Sequence, residues 1–259
     1  MRATSAETGV GTGSDTGVGA GVGTGAEPAA VRRERPVIAI DGPAGAGKST
    51  LAAHLARHFG FLNLETGAMY RALALKAIDN DLGFEDEEAL LDLAGRTRIA
   101  LKPQMEGNVV LLDGVDVSRR VRDADVTAAA SRVSVHPRLR QWMVEQQRRL
   151  GASGGVVMEG RDIGTVVFPD AEVKIFLDAA PEVRGNRRYR QGGPAQAAVT
   201  EEAIIRELKE RDARDRNRAE SPLRPAEDAV ILDSTAMGLE EVLAAAEEIV
   251  RTHIGEQKA

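Results

Sequence analysis

The stretch Gly42-Pro43-Ala44-Gly45-Ala46-Gly47-Lys48-Ser49 matches the pattern G-x-x-x-x-G-K-[ST] at every fixed position. Each fixed position has a physical reason. Glycines let the backbone curl so that successive N–H groups point inward at a phosphate. A helix opening at Lys48 adds the positive end of its dipole. Lys48 is expected to bridge β- and γ-phosphates, and the Ser49 hydroxyl to ligate Mg²⁺. Gly42 through Ser49, with Thr50 beside them, form the candidate site for ATP. The loop points to a nucleoside triphosphate and does not say what is done with its phosphate.

Phosphoryl transfer is largely positioning and charge neutralisation, so an acceptor site calls for further fixed cations. The segment Lys209–Arg218 supplies them on a predicted helix, where Arg211, Asp215 and Arg218 fall at i, i+4 and i+7 on one face. An isolated run of this kind reads as a solvated face laced with ion pairs. That reading accounts less well for so many cations around one well-placed acid. A second cluster, Arg184, Arg187, Arg188 and Arg190, precedes Gly192-Gly193-Pro194. It suits a lid over approximately 184–200 that closes on phosphates, or an exposed basic helix end.

These groups need a scaffold. Short apolar runs at Val37–Asp41, Val156–Glu159, Val173–Asp178 and Ala229–Asp233, with a weaker one at Phe61–Leu64, read as buried strands. Helical periodicity covers Lys48–His58, Ala68–Ile78, Pro137–Leu150, Glu201–Arg218 and Leu239–Thr252. Strands alternating with helices predict an α/β fold, a five-stranded parallel sheet covered on both faces. The alternation breaks at approximately 79–130. There a helical stretch, Glu87–Ala94, precedes two short strands, Thr97–Leu101 and Val109–Leu112, joined at Gln104–Asn108. This reads as an insertion folded as a small subdomain. Residues 1–35 are dominated by Gly, Thr and Val, lack large apolar side chains, and read as a disordered tail before a domain spanning 36–259.

Composition removes several function classes. The net charge of -6 and an aromatic content of 3% argue against a nucleic-acid partner, which needs basic and stacking surfaces. Cysteine is absent, which excludes disulfides and thiolate zinc sites. No stretch approaches the roughly 20 apolar residues of a membrane span, and the N-terminal segment has no signal-peptide core. The chain reads as a cytoplasmic protein with no membrane partner.

Several segments together resemble the bacterial cytidylate kinases, of the nucleoside monophosphate kinase group. They are IAIDGPAGAGKST (Ile38–Thr50), ETGAMYRALAL (Glu65–Leu75), DGVDVSRRVRDADV (Asp113–Val126), HPRLR (His136–Arg140), EGRDIGTVVFPDAEVKIFLDA (Glu159–Ala179), KERDARDRNRAESPL (Lys209–Leu223) and LDST (Leu232–Thr235). They keep the family's order and spacing from about residue 36 to the C-terminus. Position 65 is Glu where many members carry Asp, and 192–198 is rich in Gly and Ala.

The resemblance implies a P-loop kinase fold, an insertion that binds the monophosphate, and transfer from ATP with Mg²⁺ to CMP or dCMP by a monomer. It also implies residue roles. Thr66 and Arg140 would meet the cytosine, and Tyr70 would pack on the nucleotide. Arg71 would grip the acceptor phosphate, and Asp162 the sugar hydroxyls. Arg161, Arg211 and Arg218 would work with Lys48 on the transferring phosphates, with Asp215 orienting them near the sugar. A hydroxyl and an arginine are able to read opposite parts of the cytosine edge, and arginine forks hold phosphates bidentately. Two rivals remain at this level: a P-loop kinase for UMP, AMP or another acid, and a switch that binds ATP without fast chemistry.

Overall fold

The computed structural model describes residues 33–104, 107–191 and 199–256. Most of the expected tail and 192–198 of the expected lid lie outside them. Arg33 and Arg35, at the end of the expected tail, have fixed partners. Arg33 pairs with Asp170 at 2.7 Å, and Arg35 donates to the Gly60 carbonyl.

The sheet is built from β1 (Val37–Asp41), β2 (Leu62–Glu65), β6 (Val156–Glu159), β7 (Val173–Asp178) and β8 (Val230–Asp233). Its order is β2-β6-β1-β7-β8, with every neighbouring pair parallel. Parallel strands need crossover helices, and these divide the core by strand periodicity. Val37 and Ala39 of β1 face one layer, Ile38 and Ile40 the other. The second layer packs on α1 (Lys48–Phe59) and α8 (Leu239–Glu256) through Leu51, Leu55, Val242, Ala246 and Val250.

The first layer is larger. It takes in α2 (Thr66–Asp79), α3 (Glu87–Gly95), α4 (Ala124–Val133) and α5 (Pro137–Gly151). It also takes in the antiparallel hairpin β3 (Ile99–Gln104) and β4 (Gly107–Leu112), extended by β5 (Val115–Asp116). Leu90, Leu101, Val110 and Leu112 join the cluster that contains Val37 and Met158, so this region shares the sheet's core. Asn108 ties β4 to β2 by accepting from the Glu65 N–H at 2.9 Å and donating to the Asn63 carbonyl at 2.7 Å.

The helices α6 (Pro181–Gln191) and α7 (Glu201–Asn217) pack together beyond β7. Thr200 caps α7 by accepting from the Ala203 N–H. The helix ends one residue before the expected Arg218, whose backbone is extended at φ -66° and ψ 144°. A five-residue π-helical turn, Ile163–Val167, follows β6 and sets the residues before it against the sheet's C-terminal edge.

Candidate active site

The loop Gly42–Ser49 is held by a close approach that only glycine permits. Gly42 has φ +148°, and a Cβ there would stand 2.0 Å from the Leu177 carbonyl oxygen. A side chain at this position would force β1 and β7 apart. Gly47 caps α1 at φ +99° with no side-chain cap, and the first turn carries no acid. The positive end of α1 therefore faces the cleft uncompensated. Lys48 is buried and donates to the Pro43 carbonyl at 2.7 Å. Burial, with the Arg161 guanidinium nearby, pushes its ammonium down to about 7.

A single cleft of about 230 Å³ runs from this loop to the far expected residues. Ala44, Gly45, Lys48 and Ser49 line one end; Thr66, Tyr70, Arg71 and Arg140 line the other. Arg161, Asp162, Arg211, Asp215 and Arg218 stand along it as well. Gly42, Pro43, Ala46, Gly47 and Thr50 do not line it. Gly42 and Pro43 are buried, Ala46 packs in the core, and Thr50 is exposed on α1.

Acids from distant segments hold the cations in place. Asp162 pairs with Arg140 at 2.5 Å, and Asp215 accepts from Arg161 Nε at 3.0 Å. Arg218 Nη1 lies 3.7 Å from Asp215, and its Nε donates to the Ser221 carbonyl at 2.6 Å. Glu65 pairs with Arg71 and, at 3.5 Å, with Arg122. Thr66 donates its hydroxyl to the Glu159 carbonyl at 2.7 Å. Among the described residues Arg211 makes no ion pair, and burial together with Arg161 pushes its guanidinium down to about 10. Burial and then Arg140 lower Arg218. Burial works against the Asp215 charge, but Arg161, Arg211 and Arg218 outweigh it and hold the carboxyl low.

Cations thus outnumber acids in the cleft, and several are under-partnered. Buried atoms without a hydrogen-bond partner include Arg71 Nε, Arg140 Nε, Arg211 Nε, Arg218 Nη2, Tyr70 Oη, Ser131 Oγ and Glu159 Oε1. All seven belong to residues that line this one cleft. Orphaned buried polar groups are costly, and their concentration marks a place built for a polar, anionic partner.

A family model described as cytidylate kinase matches residues 38–252. The chain belongs to the cytidylate kinase family. It is 46% identical over 224 residues to a cytidylate kinase of Aeromonas salmonicida (strain A449), covering 86% of this chain and 97% of that one. It is 50% identical over 209 residues to a cytidylate kinase of Pelotomaculum thermopropionicum, covering 80% and 92%. A cytidylate kinase of Vibrio cholerae serotype O1 is 46% identical over 221 residues, covering 85% and 97%.

Two acids at strand ends behave differently. Asp41, closing β1, accepts from the Ile163 and Gly164 N–H groups at 2.8 and 2.7 Å, and burial pushes it up to about 6. It is occupied in holding the π-helical turn. Glu159, closing β6, is raised by burial and by Glu65, lies beside Lys48 and the Ser49 hydroxyl, and has Oε1 unpartnered. Ser49 and Glu159 together offer hard oxygen donors, which fit Mg²⁺. The sequence reading gave Glu159 no role, although an acid ending an apolar strand run was visible at both positions. It also gave no role to Ser131 and Ser134, which line the cleft. Ser131 lies on α4, a ten-residue helix that the sequence reading did not mark, among the buried Val126, Ala129, Ala130 and Val133.

Proposed function

We propose that this chain transfers the γ-phosphoryl group of ATP to CMP or dCMP, giving ADP and CDP or dCDP. The observation that carries the proposal is the continuity of the cleft. The α1 N-terminus with Lys48 opens into a second set of under-partnered cations and base-sized polar groups. A switch that only binds ATP has no use for that second set. The relatives' printed names supply the acceptor.

In this reading the loop Gly42–Ser49 and Lys48 hold the β- and γ-phosphates. Arg71 holds the acceptor phosphate, with Glu65 fixing its guanidinium. Thr66, Arg140 and Ser131 face the cytosine edge, Tyr70 packs on the nucleotide, and Asp162 and Asp215 take the sugar hydroxyls. An oxygen of the acceptor phosphate attacks the γ-phosphorus while the bond to the β,γ-bridging oxygen breaks. Arg161, Arg211 and Arg218 neutralise the equatorial oxygens as charge spreads. The acceptor phosphate is ionised near neutral pH, its second pKa being about 6, so no side chain need act as base. Mg²⁺, held by Ser49 with Glu159, would neutralise donor-phosphate charge. No helix of the described residues is long and apolar enough to cross a membrane. The protein works as a monomer in the cytoplasm, in pyrimidine nucleotide metabolism.

The test is ADP release from MgATP against CMP, dCMP, UMP, AMP and no acceptor. Fast release with CMP and dCMP, and little with the others, is the expected result. UMP or AMP turning over fastest overturns the acceptor, and release that ignores every acceptor overturns the transfer.

A further inference from the structure

Away from the cleft, α1 and α8 bring together His54, His58 and Glu247, each with one potential ligand atom within 4.8 Å of the other two. His54 and His58 stand at i and i+4, so both imidazoles leave the same face of α1. Glu247 reaches them from α8, between Ala246 and Val250, which are buried against Leu51 and Leu55 of α1. The packed seam fixes where the three side chains start, and a two-helix site is thereby pre-organised.

The geometry points to a surface site for a late first-row divalent metal, Zn²⁺ or Co²⁺, bound by His54 Nε2, His58 Nδ1 and one Glu247 oxygen. Glu247 Oε1 already lies 2.7 Å from His54 Nε2 and 3.4 Å from His58 Nδ1. Metal–nitrogen bonds of about 2.0–2.1 Å in a tetrahedron set ligand atoms roughly 3.3 Å apart. Small χ adjustments of partly exposed side chains suffice to open the short contact and close the longest. Two imidazoles and a carboxylate suit Zn²⁺ or Co²⁺, with water completing the shell. They do not suit Mg²⁺, which demands oxygen donors.

Arg251 is the group that opposes the metal. Its Nη2 donates to Glu247 Oε2 and lies 3.1 Å from His58 Nε2. A metal on His58 Nδ1 leaves the proton on Nε2, so the guanidinium must leave that contact. Its side chain is 49% exposed, which makes the move into solvent cheap, and it is able to keep Glu247 Oε2 as an outer partner. Arg251 is thus a brake on affinity, a role that an ordinary ion-paired helix contact would not give it.

The experiment uses the full chain without a purification tag, titrated with Zn²⁺ and Co²⁺ under a large excess of Mg²⁺. One metal per chain is expected, with a rise in Tm of about 5 °C at saturating Zn²⁺. His54→Ala, His58→Ala and Glu247→Ala should each weaken binding at least about tenfold. Arg251→Gln should strengthen it, and changes at the other two histidines, His136 and His253, should leave it unaltered. Turnover of each variant without Zn²⁺ should match the parent, which controls for folding. Failure to bind either metal stoichiometrically overturns the site. So does binding that survives His54→Ala/His58→Ala, because the metal is then held elsewhere.

Discussion

Arg184 and Arg211 lie on neighbouring helices and came from equally basic runs of sequence, yet the protein treats them in opposite ways. Arg184, 1% exposed, has every arm occupied: it donates to the Ala179 and Ala44 carbonyls at 2.7 and 2.8 Å and pairs with Asp212 at 2.5 Å. It pins the backbone of the loop Gly42–Ser49 to α7. Arg211 has a buried Nε with no partner, no ion pair among the described residues, and a guanidinium pushed down to about 10 by burial and Arg161. The first is scaffold. The second keeps a charge that is only partly offset by Asp215, an arrangement that suits the proposed site for a transferring phosphate.

Lys48 belongs with Arg211, and substituting it should give the largest effect. Lys48→Met is expected to lower kcat by about 10³ or more in the acceptor-dependent ADP assay. Stability should move the other way. The ammonium sits at about 7 in the folded chain against 10.5 when unfolded. Between those values the unfolded chain binds the extra proton, so this group's penalty is complete below pH 7 and fades as pH rises toward 10.5. Urea unfolding should therefore find Lys48→Met more stable than the parent at pH 7, with the gap shrinking at higher pH. A Lys48→Met chain that keeps turnover would place Lys48 with the scaffold.

Arg71 is intermediate, since Glu65 occupies part of its fork while its Nε stays bare. Arg71→Ala should raise KM for CMP roughly 10- to 100-fold, as expected for loss of a charged hydrogen bond, with a smaller change in kcat. An unchanged KM would mean that Glu65 is its only partner. The smallest effect concerns protons. Phosphates restore the Lys48 charge, so nucleotide binding above pH 7 should take up a proton. MgATP affinity should fall by at most about tenfold per pH unit there. Calorimetry in buffers of different ionisation enthalpy checks this.

The parallel sheet was legible because its strands are short, mostly apolar runs closed by an acid, interrupted by Asn63 in β2 and Lys174 in β7, and β1, β6 and β7 fall where the runs fall. The helix α4 was not, although Val126, Ala129, Ala130 and Val133 bury one face, because the insertion was read as ending at about residue 130, inside this helix. Within the site, motif spacing located the phosphate loop, and the resemblance to the cytidylate kinases pointed to most of the other side chains that line the cleft. It was silent on partnership. Asp162 meets Arg140, Asp215 meets Arg161 and Asp212 meets Arg184 across long separations in the chain. No local pattern encodes which arginine ends saturated and which ends bare, so the second basic cluster read as a lid or a solvated helix end. Arg184 is instead buried under the loop Gly42–Ser49, and Arg187 holds the Ser234 carbonyl at 2.8 Å.

The most direct test pairs urea unfolding with steady-state kinetics on Arg184→Gln and Arg211→Gln. Arg184→Gln should lose about 3–5 kcal/mol of stability, because Asp212 is left buried and unpaired, while the folded fraction turns over near the parent's rate. Arg211→Gln should keep or gain stability and lose kcat by about 10² to 10³. The same losses in both variants, or the reverse assignment, would contradict the division between saturated scaffold and bare working cations.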